Sequence, residues 1–176
     1  MRCHPLSPHR ASAHSPHLLI TLPSLGLRPT QEDRMLLVPE LRSPLVSLAA
    51  VFDGTVGPHA AHFAATHFTA HLCATPAVQA LLRLTAQQQV VVETEAAAAQ
   101  LATGLREAFG TLDRSLLEVC SREKLHYASS TAVVALVWQD LLTIAHVGDS
   151  RACIAKMGMD GRLRPEWLTG MGLYIL

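Results

Sequence analysis

The sequence has 176 residues, enough for one domain of ordinary size, and its 14 Lys and Arg balance 14 Asp and Glu. That balance leaves no electrostatic excess to recruit nucleic acid or an anionic membrane, and no uninterrupted apolar run approaches the ~20 residues of a membrane span. Hydrophobic residues make up 49% of the chain, while its cysteines (Cys3, Cys73, Cys120 and Cys153) are scattered without a CxxC pair. This spacing fits neither a disulfide framework nor a zinc site, and it predicts a reducing setting, cytoplasmic or nuclear.

Residues 1–17 are a Pro, His and Ser-rich lead that begins "MRCHPLSPHR" and reads as a disordered tail. Arg2, Arg10 and Arg28 precede the first acidic residue, Glu32, so a transit-peptide role stays open. Leu18 to Thr21 and Met35 to Val38 are short apolar runs of strand length, with "RPTQEDR" between them. Leu45 to Phe52 is a nearly continuous apolar run closed by Asp53-Gly54, as a buried strand would be.

Pro58 then opens "PHAAHFAATHFTAHL", with Phe63, Ala64, Phe68 and Leu72 at helical spacing. A second helix starts at Glu93, where Ala97, Leu101, Leu105, Ala108, Leu112, Leu116 and Val119 recur three or four apart. Glu93 and Glu95 in its first turn, and Arg122 and Lys124 beyond its last, agree with the helix dipole. Gly104 and Gly110 weaken it without removing the period.

Three strands are predicted next: Thr131 to Trp138, Leu141 to His146 and Arg151 to Ala155. Gln139-Asp140 forms the first turn between them and Gly148-Asp149-Ser150 the second. Strands, two helices and then a β-meander make an α+β layered domain, because strands and helices do not alternate. His67 and His71 stand four apart on one helix, at zinc-ligand spacing, but no second pair accompanies them.

The stretch "VFDGTVG", residues 51–57, holds a carboxylate at the exit of a buried strand. Two phosphate chemistries use a sequence close to it. Haloacid-dehalogenase-type phosphotransferases read Asp-x-Asp-Gly-Thr, whose first Asp is the nucleophile. Val51 occupies that position here, and a valine cannot attack phosphorus.

The other chemistry uses several pieces in order. These are Arg28 ahead of Glu32-Asp33, the strand ending Asp53-Gly54, then "SSTAVVALV" and "HVGDSRACI". From about Gly26 to Thr169 this order resembles the metal-dependent protein phosphatase family (PPM, or type 2C). The resemblance implies an α/β/β/α sandwich and hydrolysis of phosphoserine or phosphothreonine in a phosphoprotein substrate, with two Mg or Mn ions. Those hard cations prefer carboxylates and carbonyls.

By the same resemblance, Asp53 bridges the two metals, and Gly54 (through its carbonyl) and Glu32 bind one of them. Asp33 supports the water shell, Arg28 grips the substrate phosphate, and Asp149 binds an additional metal.

Two departures stand out. The family usually reads Asp-Gly-His-Gly-Gly where this chain has Asp53, Gly54, Thr55, Val56 and Gly57, although some members carry Asp-Gly-Thr-Val-Gly. Threonine cannot replace histidine as general acid, a loss of typically 10²–10⁴-fold. The family also has an Asp-His after Leu-Thr and later metal-binding aspartates, whereas this chain follows the pattern to Thr169 and ends "GMGLYIL". The expectation is therefore an incomplete, N-terminal part of the domain over residues 18–169, with a divergent end at 170–176. The alternative is an inactive pseudophosphatase serving as a binding or regulatory module.

Overall fold

A computed structural model describes residues 27, 29–86, 94–170 and 174–175. The predicted lead over 1–17, the strand at Leu18 to Thr21, Arg28 and the helix start at Glu93 lie outside the described residues. In chain order the elements are β1 (Arg34–Val38), β2 (Val46–Phe52), β3 (Gly54–Thr55), α1 (His59–Ala74), α2 (Pro76–Ala86) and α3 (Thr94–Glu123). They continue with β4 (Ser129–Ser130), β5 (Ala132–Trp138), β6 (Leu141–Val147), β7 (Cys153–Met157), β8 (Leu163–Trp167) and β9 (Tyr174–Ile175).

The apolar run of β2 lies between two partners. An antiparallel sheet orders its strands β1-β2-β5-β6-β9, and β2 bonds β1 on one side and β5 on the other. Alternation decides which side chains meet the helices. Leu48, Ala50 and Phe52 of β2 and Val134, Leu136 and Trp138 of β5 share one face and are buried in the main core. Phe68 and Leu72 of α1 and Leu101 and Leu105 of α3 complete that core. Phe68 sits between Phe52 and Phe109, with ring centroids 6.0 and 5.3 Å away. Each such side chain contributes about 1.5–3 kcal/mol by leaving water.

The predicted period of α3 is realised: Ala97, Leu101, Leu105, Ala108 and Leu112 are buried, and Leu116 and Val119 are half-buried. The helix count was one short. Helix α2 intervenes, starting with Pro76 at its first position behind Thr75, whose hydroxyl receives the Val78 N–H at 3.4 Å. It docks through Thr85, whose hydroxyl accepts the Trp138 indole N–H at 2.8 Å and donates to the Leu81 carbonyl at 2.8 Å. The expected three-stranded meander is not formed: β6 pairs β9 instead, and the third strand runs Cys153–Met157 rather than Arg151 to Ala155 and leaves the main sheet for a separate two-stranded one. Its hairpin partner β8 had no counterpart in the sequence reading.

Gly104 has a packing reason that periodicity does not reveal. A Cβ there would lie 2.5 Å from Val78 Cγ2, so the glycine lets α2 close onto α3. Ala would gain about 1 kcal/mol of helix propensity, but overpacking costs typically 1–3 kcal/mol. Gly104→Ala should therefore lower stability, read as a smaller urea midpoint with an unchanged slope.

His71 joins α1 to α3. Thr111 Oγ1 donates to the Ala108 carbonyl at 3.1 Å, so it accepts from His71 Nδ1 at 3.0 Å. Burial, and secondarily the nearby His67, push the His71 pKa below its ordinary value of 6.5. A base whose folded pKa is depressed is protonated more readily in the unfolded chain. Its contribution is therefore complete above the unfolded value and is lost as pH falls through the folded one. Urea midpoints should drop between pH 7.5 and pH 5, and His71→Gln should flatten that drop.

Candidate active site

The register of the main sheet places the candidate residues. The β1–β2 pairing runs from Val38↔Leu48 to Arg34↔Phe52. Carried one and two residues further, it sets Asp33 opposite Asp53 and Glu32 opposite Gly54. The structure bears out this continuation: a Cβ on Gly54 would lie 2.7 Å from the Glu32 carbonyl oxygen and 2.8 Å from that of Gly57.

On the other side, β2 faces β5 as far as Val51↔Val133, and β3 faces β4 as Gly54↔Ser130 in the same register. Asp53 therefore falls opposite Thr131, whose N–H donates to the Asp53 carbonyl at 2.9 Å. The Ser130 hydroxyl shares its proton between that carbonyl, at 3.0 Å, and the Thr131 carbonyl, at 2.7 Å. The β5–β6 pairing ends at Ala132↔Val147, so Thr131 next meets Gly148. A Cβ on Gly148 would lie 2.8 Å from Thr131 Cγ2, and the Thr131 and Ser150 hydroxyls are hydrogen-bonded.

Two rows of residues thus cross the end of the sheet. One holds Asp33, Asp53, Thr131 and Gly148; the next holds Glu32, Gly54 and Ser130, and the chain turns away after Gly148. Asp33 is supported locally: its N–H donates to Gln31 Oε1 at 3.2 Å, and Arg34 Nη1 donates to the Gln31 and Asp33 carbonyls, each at 2.8 Å. Glu32, Asp33 and Asp53 are half-buried, while Thr55 and Asp149 are exposed. Arg28, assigned the substrate phosphate, lies outside the described residues. The hydroxyls of Ser130, Thr131 and Ser150 had no assigned role in the sequence reading. The signal for them was "SST" and "GDS", visible as landmarks but not as a network.

The residue types along this sheet end, carboxylates and main-chain carbonyls, suit a hard divalent cation rather than a soft one. Among the described residues, no three His, Cys, Asp or Glu side chains come together as a metal-holding group.

The profile of the family described as Protein phosphatase 2C matches residues 25–165. The chain belongs to that family. Probable protein phosphatase 2C 55 of Oryza sativa subsp. japonica is 31% identical over 134 residues, covering 76% of this chain and 30% of that protein. Probable protein phosphatase 2C 68 of Arabidopsis thaliana is 34% identical over 109 residues, covering 61% of this chain and 24% of that protein. The chain therefore spans less than a third of these relatives.

A crystal structure of the serine-threonine phosphatase 2C of Toxoplasma gondii superposes with a TM-score of 0.74 at 30% identity, over 84% of this chain and 47% of that one. A sex determining protein of C. elegans shares the fold with a TM-score of 0.56 at 24% identity, over 83% of this chain and 32% of that one. The mixed helix and antiparallel-sheet architecture is thus that of type 2C phosphatases. Among the described residues, no helix is long and apolar enough to cross a membrane.

The loop after Asp53 shows what the departure from Asp-Gly-His-Gly-Gly does to this member of the family. Val56 has φ +60° and Gly57 has φ +99°. The usual pattern supplies glycine at both left-handed positions, whereas here the first is a β-branched residue. Strain of this kind costs about 1–3 kcal/mol, and glycine returns about 0.4–1 kcal/mol of that as unfolded-state entropy. Val56→Gly should raise stability by about 1 kcal/mol, visible as a higher thermal midpoint, and Val56→Ala should raise it less.

Proposed function

We propose that this chain carries the Asp53 side of a metal-dependent phosphatase site acting on phosphoserine and phosphothreonine in proteins. One observation carries the reading: the Glu32 main chain packs against Gly54, bringing the Glu32-Asp33 pair beside Asp53 at the sheet end. Asp53, Glu32 and the Gly54 carbonyl would hold Mg or Mn, Asp33 would order water around it, and Asp149 would serve a further ion. Bound divalent ions supply an activated water and neutralise phosphoryl charge. Arg28 would clamp the phosphate with its planar fork.

Two features favour a second reading, a non-catalytic module that binds phosphoproteins. Thr55 stands where the usual pattern has its proton donor, and the described carboxylates form no three-ligand cage. General-acid loss alone costs roughly 10²–10⁴ in rate.

With millimolar Mn, the chain should hydrolyse a phosphothreonine peptide at least about 100-fold more slowly than a complete type 2C domain. Asp53→Asn should remove what remains. Peptide binding without turnover, retained in Asp53→Asn, would favour the regulatory module. Full-rate turnover abolished by Asp53→Asn would overturn the prediction of low activity. Hydrolysis indifferent to both chelator and Asp53→Asn would overturn the phosphatase site itself.

A further inference from the structure

We infer that Thr131 is a positioning residue that fixes the Asp53 and Asp149 loops relative to one another, and so sets divalent-ion affinity; this rests on the metal-site reading above. Three separate groups of one side chain and its main chain are engaged. The Thr131 N–H donates to the Asp53 carbonyl at 2.9 Å, fixing the main chain that carries the Asp53 carboxylate. Its hydroxyl bonds Ser150, the residue after Asp149. Its methyl fills the space over Gly148, the residue before Asp149, where a Cβ would approach to 2.8 Å.

Asp149 is thus bracketed on both sides by contacts to a single threonine, which is itself bonded to Asp53. Asp149 is exposed in a turn, and Gly148 adopts φ +87°. Turn residues of this kind are free to wander unless something holds them. A carboxylate held at a fixed distance is pre-organised for a cation, and groups that orient ligands without touching the metal typically govern 10–100-fold of affinity. A residue that only stabilised the β4–β5 connection would not need its hydroxyl directed at Ser150.

The test is Mn²⁺ titration of the whole chain, followed by the loss of free-ion paramagnetic signal, together with amide exchange. Thr131→Val keeps shape, methyl and N–H but removes the hydroxyl. It should weaken Mn²⁺ binding about 10-fold at an unchanged thermal midpoint and speed exchange at Ser150 and Gly54. Thr131→Ser, which regains the hydroxyl but loses the methyl over Gly148, should restore both in part. Ser150→Ala, which cuts the same bond from the other side, should reproduce the valine variant should that variant fold poorly.

Wild-type affinity in Thr131→Val or Ser150→Ala would overturn the inference while leaving the metal site standing. Faster exchange at Ser150 with Gly54 unmoved would also overturn it. No Mn²⁺ binding by the wild-type chain at millimolar ion would overturn the metal-site reading, and this inference with it.

Discussion

Antiparallel register is the constraint on which the rest of this structure depends. Strands β1, β2, β5 and β6 pair over five to seven residues each, and each pairing is pinned by which side chains must reach the helices. A slip of one residue would turn Leu48, Ala50 and Phe52 away from Phe68 and Leu105 and expose them. Losing several fully buried side chains at about 1.5–3 kcal/mol each exceeds what a marginally stable domain can tolerate. The core therefore specifies the register, and the register specifies what stands opposite Asp53. The polar residues at the sheet end contribute little to this choice, yet it decides their neighbours.

Crowding at that end explains which glycines are needed there. At Gly54 two main-chain carbonyl oxygens converge within 3 Å of where a Cβ would lie. Any side chain would have to push β1's approach or the Gly57 turn outward, and with it the Glu32-Asp33 pair. Gly148 is excluded from bearing a side chain by Thr131 and by its own left-handed backbone. In both places the absent side chain allows strands to stay close after regular pairing has ended, so that carboxylates on neighbouring strands share one edge. Carbonyls that the ladder no longer pairs internally are taken up by Thr131 N–H and Ser130 Oγ.

Much of this was legible in the sequence. Strand β2, helices α1 and α3, and the β5–β6 hairpin carry unbroken apolar runs or clean helical periods, and they stand where those patterns place them. Helix α2 was missed because its apolar stretch, Val78, Leu81 and Leu82, is short and directly follows α1. Its start signal was nevertheless present in Thr75-Pro76. Strand β8 reads Leu-Arg-Pro-Glu-Trp, with charges and a proline that only an exposed two-stranded ribbon accepts. The site was legible as a list of residue types in order. Its arrangement in rows was not, because register is set by long-range pairing that no local pattern encodes.

The loop from Asp53 to Gly57 separates positions that the fold constrains from positions that it does not. Each position answers to a different demand. Gly54 is held by steric crowding, so it cannot change without moving both neighbouring chains. Val56 is solvent-exposed, and its left-handed backbone costs about 1–3 kcal/mol, which a well-packed core absorbs. Thr55 is exposed as well and pairs through its main chain with Ser129, so any side chain satisfies the architecture there. Packing therefore fixes the main chain at Gly54, while the side chains at Thr55 and Val56 are left unconstrained by the fold.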